Sequence, residues 1–222
     1  MQRFFDVVFT SLALLVLSPL MVPIVIILRF SGEGEIFYKQ NRVGINGKSF
    51  GLLKFATMLK NSPNLGTGNM TVKNDPRILP LGNFLRKTKI NELPQLLNIF
   101  LGDMSIIGPR PLTQDHFEGY LPDVQEAISS VRPGLSGLGS IVFRDEEEML
   151  HQHTDAKQFY KESISPYKGS LEAWYVKNND LLTYFTLIVL TVWVVVFSKS
   201  NAVWKIFPSL PKPPEVLEKY FL

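Results

Sequence analysis

Two long apolar segments stand out against an otherwise mixed pattern of hydrophobic and polar positions. The first, residues 7–28, contains no charged residue, and a straight helix of this length would rise roughly 33 Å, enough to cross a bilayer. Pro19 and Pro23 interrupt it, and each proline removes a backbone N–H and crowds the preceding turn. The pattern predicts a helix that bends near Ser18, whose hydroxyl is a candidate donor to a freed carbonyl.

The flanking charges of this segment do not indicate a crossing, because Arg3 precedes it and Arg29 follows it. A helix that bends and returns to the same membrane face explains both the prolines and the charges, and a kinked spanning helix is the alternative. A cleaved signal peptide is disfavoured, since the stretch is long, broken by proline and not followed by a small-residue cleavage pattern. The second apolar segment, residues 181–197, either spans the bilayer or lies in its interface.

Residues 30–180 form one polar stretch without internal repeats. Within it, Asn46-Gly47 separates two runs of strand-forming residues. This dipeptide favours a type I′ turn, so we predict a β-hairpin. Residues 61–69 are rich in Asn, Gly, Ser and Pro, which is typical of a loop.

A helix is predicted over residues 92–101, which have helical hydrophobic spacing. Asn91 is placed to cap its N-terminus, Pro94 lies in the first turn where its missing N–H costs nothing, and Gly102 ends it. A further helix is predicted over residues 145–151, with acidic residues in its first turn.

Composition excludes several classes of site. The chain has no cysteine, which rules out disulfides and cysteine-based metal sites or nucleophiles. Its formal charge of +3 fits anionic membranes, nucleotides and nucleic acid equally, so the charge alone selects none of them. The basic residues are scattered instead of forming a stripe, so a nucleic-acid partner is not expected. Dinucleotide-binding and Walker A motifs are absent from the sequence.

The densest cluster of reactive side chains lies just before the predicted helix at Glu92. Arg86, Lys87 and Lys89 precede a helix N-terminus, an arrangement suited to phosphate groups. A carboxylate beside bound phosphates either holds Mg²⁺ or attacks phosphorus. The plainer interpretation is an ordinary helix start preceded by solvated cations.

Other charged residues are candidates for the same site. Arg110 lies between two prolines, in a rigid turn that suits a fork to a diphosphate. Asp75 and Arg77 are weaker candidates.

Several strings, in order along nearly the whole chain, resemble those of the bacterial sugar transferases, also called monotopic phosphoglycosyl transferases. They are Phe5-Asp6, Ser18-Pro19, Tyr38-Lys39-Gln40-Asn41-Arg42-Val43-Gly44, Lys54-Phe55, Thr57-Met58, Asn74-Asp75-Pro76-Arg77, Leu85-Arg86-Lys87-Thr88, Glu92-Leu93-Pro94-Gln95-Leu96, Gly102-Asp103-Met104-Ser105, Gly108-Pro109-Arg110-Pro111, Pro133-Gly134 and Gly137-Leu138.

The resemblance implies transfer of a sugar 1-phosphate from a UDP-sugar to undecaprenyl phosphate, with release of UMP and with Mg²⁺ as cofactor. This is the first membrane step of glycan assembly for capsule, O-antigen or exopolysaccharide. Family members are thought to form a covalent phosphosugar intermediate on the Asp of an Asp-Glu pair. The resemblance also implies a re-entrant first helix and a place on the cytoplasmic face of the bacterial inner membrane.

Two departures from the family pattern affect the chemistry. The Asp-Glu pair is Asn91-Glu92 here, and the usual Arg after Lys54-Phe55 is Ala56. Asn serves as a helix cap as well as Asp does, but an uncharged amide is a poor nucleophile. Three accounts remain: Glu92 is the nucleophile, the lipid phosphate attacks directly while Glu92 holds Mg²⁺, or the chain is inactive.

The predicted fold is α+β and has four parts: a proline-bent re-entrant membrane helix (1–29), a compact cytoplasmic catalytic domain with a β-hairpin and several helices (30–180), a C-terminal membrane-associated helix (181–207) and a proline-rich tail (208–222). The predicted site comprises Glu92 as the catalytic and metal-binding carboxylate and Asn91 at the family's nucleophile position. Phosphate and substrate binding is assigned to Lys54, Asp75, Arg77, Arg86 and Arg110.

The predicted partners are the UDP-sugar, undecaprenyl phosphate and membrane lipid. Downstream glycosyltransferases and a second copy of the chain, as a homodimer, are compatible with this interpretation. Two alternatives are a membrane scaffold without catalysis and a plain two-span membrane protein with an external domain.

Overall fold

The computed structural model describes residues 1–65, 75–197 and 200–221; Asn74 and positions 66–69 of the predicted loop lie outside these ranges. Within them the chain is α+β with a helical majority, which confirms the predicted class. The strands are β1 (Phe37–Val43), β2 (Ser49–Phe55), β3 (Ser105–Ile107) and β4 (Gly134–Ser136). The helices are α1 (Gln2–Arg29), α2 (Gly82–Lys87), α3 (Gln95–Leu101), α4 (Gln114–Glu118), α5 (Pro122–Ser129), α6 (Leu138–Val142), α7 (Glu146–His151), α8 (Ala156–Phe159), α9 (Ser165–Lys177), α10 (Leu181–Val196), α11 (Ala202–Ile206) and α12 (Glu215–Phe221).

The chain divides into two compact units. The N-terminal unit comprises residues 4–41 and 51–102, and the C-terminal unit comprises residues 1–3, 42–50 and 103–222.

Helix α1 continues through both of its prolines. Because Pro19 has no N–H, the Leu15 carbonyl lacks its usual helical partner. The Ser18 hydroxyl donates to that carbonyl at 2.7 Å, which confirms Ser18 as the donor predicted from sequence. Among the described residues, α1 is the one helix long and apolar enough to cross a membrane. Its bend and its return to the same membrane face stay predictions.

The last turns of α1 form part of the core of the N-terminal unit. Ile24 and Leu28 pack with Phe55 of β2 and Leu85 of α2. Earlier along the helix the apolar side chains are exposed; Leu15, for example, is 72% exposed. An apolar surface of this length is unfavourable in water and is typical of contact with lipid. The helix therefore joins a membrane-type surface directly to the unit's core.

The hairpin predicted at Asn46-Gly47 is confirmed. Strands β1 and β2 pair, and the turn between them has positive φ at both Asn46 (56°) and Gly47 (71°), as a type I′ turn requires. The Lys48 N–H closes the turn by donating to the Ile45 carbonyl at 3.2 Å.

The predicted start of the helix at Glu92 is wrong. Helix α3 begins at Gln95, and Glu92 lies in a preceding 3₁₀ turn, Ile90–Glu92. Lys89 has a left-handed backbone (φ 60°) that sets up this turn, and its carbonyl accepts the Glu92 N–H. The side-chain oxygen of Asn91 caps no N–H among the described residues. The predicted stop is confirmed, because Gly102 adopts φ 100° at the C-terminus of α3.

The C-terminal unit contains a short parallel pair, β3 and β4, in which Ser105 lies opposite Gly134 and Ile107 opposite Ser136. The backbones meet closely here: a Cβ on Gly134 would lie 2.1 Å from the Gly108 nitrogen. Glycine is therefore required at position 134 by space.

Helix α10 has two different faces. Tyr184 and Leu187 are fully buried, and the Thr191 hydroxyl lies 2.8 Å from the hydroxyl of Ser136. On the other side, Val189 and Val192 are about two-thirds exposed. The helix packs on its own unit along one face and leaves an apolar face uncovered among the described residues.

Candidate active site

A cavity of about 480 Å³ opens in the N-terminal unit. Its walls come from β1 and the residues just before it, from β2 and the segment that follows it, and from the end of α2 with the segment between α2 and α3. The charged and amide side chains that line it are Glu35, Lys39, Gln40, Lys54, Lys60, Arg86, Lys89, Asn91 and Glu92. The structure thus brings together four predicted site residues: Lys54, Arg86, Asn91 and Glu92.

Strand β2 presents Lys54 to the cavity and places its neighbour Phe55 in the core beside α1. This follows from the alternation of side chains along a strand. The Lys54 ammonium lies 3.6 Å from the Glu92 carboxylate, and both side chains are partly exposed. The core that anchors Phe55 therefore also fixes where Lys54 meets Glu92.

Asn91 and Glu92 have different environments although they are adjacent. Asn91 is buried, and its side-chain oxygen has no hydrogen-bond partner among the described residues. The Glu92 side chain is 30% exposed at the cavity wall. A buried carbonyl oxygen without a donor is unfavourable, so this position is suited to a donor or cation supplied by a ligand.

The charge of the cavity wall is strongly unbalanced. Among the residues that the structure describes, five lysines and arginines line it against two glutamates. One of those acids, Glu35, is already paired, since it accepts from the Lys60 ammonium at 2.6 Å. That hydrogen bond raises the pKa of Lys60. The remaining positive charge makes the cavity attractive to an anion such as a diphosphate.

The helix dipole expected from the sequence does not act at Glu92 as the first residue of a helix, because α3 begins only after it. The positive potential comes from side chains instead. Lys39 and Lys60 belong to this set and were not singled out from sequence. The signal that could have found Lys39 is strand alternation along the hairpin, together with Gly51. A Cβ on Gly51 would lie 1.7 Å from the Lys39 side chain, so glycine leaves the space that Lys39 crosses.

Asp75 and Arg77 form a buried pair in the same unit. The Arg77 guanidinium donates to both carboxylate oxygens of Asp75, at 2.8 and 2.6 Å. It also donates to the backbone carbonyls of Ser62 and Leu65, each at 2.7 Å. The pair is not part of the cavity wall. Its geometry is that of a clamp on the segment before residue 66, and a direct role at substrate stays an untested prediction.

Arg110 belongs to the C-terminal unit, where its side chain is exposed. Its backbone N–H donates to the buried carboxylate of Glu172 on α9. The predicted turn between two prolines thus presents a solvent-facing guanidinium.

No group of three or more His, Asp or Glu that could hold a metal occurs among the described residues. A magnesium ion in a nucleotide enzyme often takes only one or two carboxylates and completes its shell with substrate phosphates. The Glu92 carboxylate and the unpartnered oxygen of Asn91 fit that pattern as neighbouring oxygen ligands.

Comparison with known proteins gives the family. The profile of the family described as "Bacterial sugar transferase" matches residues 1–198. The chain belongs to this family. The sequence resemblance is confirmed, and this bacterial sugar transferase carries its lysine, arginine and glutamate cluster in one cavity.

Three relatives illustrate the range of the similarity. The transferase is 34% identical over 214 residues to "Exopolysaccharide production protein ExoY" of Sinorhizobium fredii, covering 90% of the chain and 87% of the relative. It is 32% identical over 209 residues to the "Undecaprenyl-phosphate galactose phosphotransferase" of Salmonella typhimurium, covering 88% of the chain and 40% of the relative. It is 33% identical over 188 residues to the "UDP-glucose:undecaprenyl-phosphate glucose-1-phosphate transferase" of Escherichia coli, covering 83% of the chain and 39% of the relative.

Proposed function

We propose that the chain transfers a sugar 1-phosphate from a UDP-sugar to undecaprenyl phosphate, giving a polyprenyl diphosphate-sugar and UMP. The observation that carries this is the cationic cavity around Glu92, in a chain of the bacterial sugar transferase family whose named relatives act on these substrates. A scaffold without catalysis is not favoured, because those relatives are named as transferases.

The cations of the cavity bind and neutralise the diphosphate of the donor. Lys54, Arg86 and Lys89 line the wall that also carries Glu92. Charge placed around a transferring phosphoryl group supplies most of the catalysis in this type of reaction. Lys54 has a second effect, since its ammonium lies 3.6 Å from the Glu92 carboxylate and helps to hold it in place.

Glu92 is the central carboxylate. In one route its oxygen forms a bond to the phosphorus that carries the sugar, the bond from that phosphorus to the bridging oxygen breaks, and UMP leaves. The lipid phosphate then attacks the same phosphorus and releases Glu92. In the other route the lipid phosphate attacks this phosphorus directly. Glu92 then forms no bond to phosphorus and contributes its negative charge as a ligand that would hold the metal ion. Asn91 accepts a hydrogen bond or a cation in either route, because its amide carries no negative charge to attack with.

Magnesium belongs to the proposal as the cofactor. Glu92 and the side-chain oxygen of Asn91 are the residues that would hold it, beside the donor's phosphates. When bound, the ion neutralises developing charge on phosphate oxygens.

The proposed location is the cytoplasmic face of the bacterial inner membrane, where a nucleotide-sugar and a polyprenol phosphate meet. Helix α1 supplies the apolar surface for membrane association, and the re-entrant path is part of the proposal. The uncovered face of α10, with Val189 and Val192, is proposed as a second surface against lipid.

A UMP-release assay with undecaprenyl phosphate and a panel of UDP-sugars tests the activity. We expect Glu92→Gln to lose nearly all UMP release, because it removes the carboxylate that either route uses. Glu33→Gln is the matched control: Glu33 is an exposed acid of the same unit outside the cavity wall. It accepts the backbone N–H of Lys60, which a glutamine oxygen also accepts, so the variant keeps wild-type activity. Full activity of Glu92→Gln would remove Glu92 from the mechanism.

The variant Asn91→Asp separates the accounts of the nucleophile. If residue 91 occupies a disabled nucleophile position, the new aspartate raises the rate and yields a phosphosugar adduct on residue 91 by mass spectrometry. If Glu92 carries the covalent step, an adduct maps to Glu92 in the wild type. Absence of any adduct from both proteins during turnover supports direct transfer.

A further inference from the structure

The Pro109-Arg110-Pro111 turn has an unusual backbone chemistry. Neither proline carries an N–H, so Arg110 is the only residue of the three that can donate from its backbone. That donor goes to the carboxylate of Glu172 on α9. The Arg110 side chain, in contrast, faces solvent. One buried acid therefore receives the single backbone donor of the turn that presents the guanidinium.

Glu172 lies in a confined place. The residue is 6% exposed and also accepts the backbone N–H of Gly139. A Cβ on Gly139 would lie 2.5 Å from a carboxylate oxygen of Glu172, so glycine at position 139 makes room for the acid. Its second oxygen has no hydrogen-bond partner among the described residues. The carboxylate is held against two backbone segments, those at residues 110 and 139.

The charged and titratable groups around Glu172 come from three elements. Lys168 lies one turn earlier on α9, Arg110 lies after β3, and Tyr120 lies after α4. Lys168 also pairs with Glu146. Burial dominates over these cations and raises the pKa of Glu172 to about 7. A buried acid at this position makes the folded protein less stable than a well-packed apolar residue would. Its presence therefore indicates a role other than stabilising the fold.

We infer that Glu172 is a positioning residue: its carboxylate fixes the backbone of Arg110 and so holds the guanidinium in one orientation for binding phosphate. This rests on the proposed function, in which both substrates carry phosphate, and on the phosphate-binding role predicted for Arg110 from the sequence. Hydrogen bonds to an ionised carboxylate are about twice as strong as those to a neutral group. The turn is therefore held most firmly when Glu172 is ionised. We expect activity to increase with pH near neutrality as Glu172 loses its proton, and this part of the pH profile is called the rising limb.

A double-mutant cycle with pH profiles tests the inference. We expect Glu172→Gln to lower kcat/KM for UMP release by about tenfold to a hundredfold at alkaline pH, as a misplaced binding group does. It also removes the rising limb that lies at about pH 7. In an Arg110→Ala background the same change has no further effect, because Glu172 acts through Arg110. Glu146→Gln is the control, since it removes a neighbouring carboxylate without removing either backbone hydrogen bond, and it keeps the limb.

Three outcomes would overturn the inference: additive effects of the two substitutions, a limb that persists in Glu172→Gln, or an Arg110→Ala variant with wild-type activity. A protein that releases no UMP with any UDP-sugar refutes the proposed function instead. Amide hydrogen exchange of the peptide that contains Arg110 then still tests the positioning. After correction for the intrinsic exchange rate, we expect exchange of this peptide to slow above neutral pH in the wild type. In Glu172→Gln we expect no such slowing. Equal exchange in both proteins would contradict the inference.

Discussion

The buried carboxyl of Glu172 makes a quantitative prediction about stability. Its pKa is about 7 in the folded protein, against 4.5 for an unburied glutamate. Between these two values the folded state keeps a proton that the unfolded state has lost. The contribution of this group to stability is therefore present at acidic pH, falls as pH rises through this window and is constant above it.

The size of the effect follows from the two pKa values. Integrating the linkage from about pH 5 to about pH 8 gives a loss of about 2–3 kcal/mol in the free energy of unfolding from this one carboxyl. Glu172→Gln removes this titrating group. Over the same pH range, the free energy of unfolding of the variant therefore falls by about 2–3 kcal/mol less than that of the wild type. The cost of placing an amide there is the same at every pH and cancels in the comparison of slopes.

The measurement is urea unfolding in detergent micelles followed by tryptophan fluorescence. All three tryptophans lie in the C-terminal unit, and Trp174 is on the same helix as Glu172. The wild type should lose stability relative to Glu172→Gln as pH rises. Parallel curves for the two proteins would refute the reasoning, because they would mean that Glu172 does not titrate in this range.

Three further substitutions test the packing around the candidate site. Gly134→Ala forces a Cβ into the Gly108 backbone, and we expect it to prevent accumulation of folded protein, read by detergent-extractable yield. Asp75→Asn leaves the Arg77 guanidinium without its buried counter-charge and lowers the thermal midpoint. The double change Asp75→Leu with Arg77→Met restores only part of it, because Arg77 also donates to the Ser62 and Leu65 carbonyls, and lost activity at an unchanged midpoint would instead indicate a substrate role. Gly51→Ala displaces the Lys39 side chain, which crosses Gly51. We expect it to raise KM for the UDP-sugar about tenfold with a smaller change in kcat. An unchanged KM would exclude Lys39 from substrate binding.

Features that depend on local chemistry could be predicted from sequence. The positive φ angles at Asn46 and Gly47 follow from the residue types, and the Ser18 hydroxyl reaches the carbonyl that Pro19 frees because both lie within one helical turn. The stop at Gly102 is of the same kind. Each of these needs only a few neighbouring residues.

Features that depend on distant parts of the chain could not be predicted. Strands β3 and β4 are three residues long and pair across a large sequence separation, so no periodicity marks them. The late start of α3 depends on the left-handed backbone of Lys89, which no local preference of lysine favours. The sequence marks Asp75 and Arg77 as charged residues near a turn. That they form a buried salt bridge with each other is seen in the structure alone.

The last turns of α1 have a consequence for how lipid and catalysis are connected. A membrane anchor can often be replaced without effect on the domain that it carries. Here, however, Ile24 and Leu28 of α1 also pack in the core against Phe55, the residue next to Lys54. A change in tilt or insertion depth therefore reaches the cavity wall without passing through a flexible linker. Under the proposed membrane association, bilayer thickness affects the geometry of the cavity, and a chimaera with a foreign anchor keeps that geometry only if it retains Ile24 and Leu28.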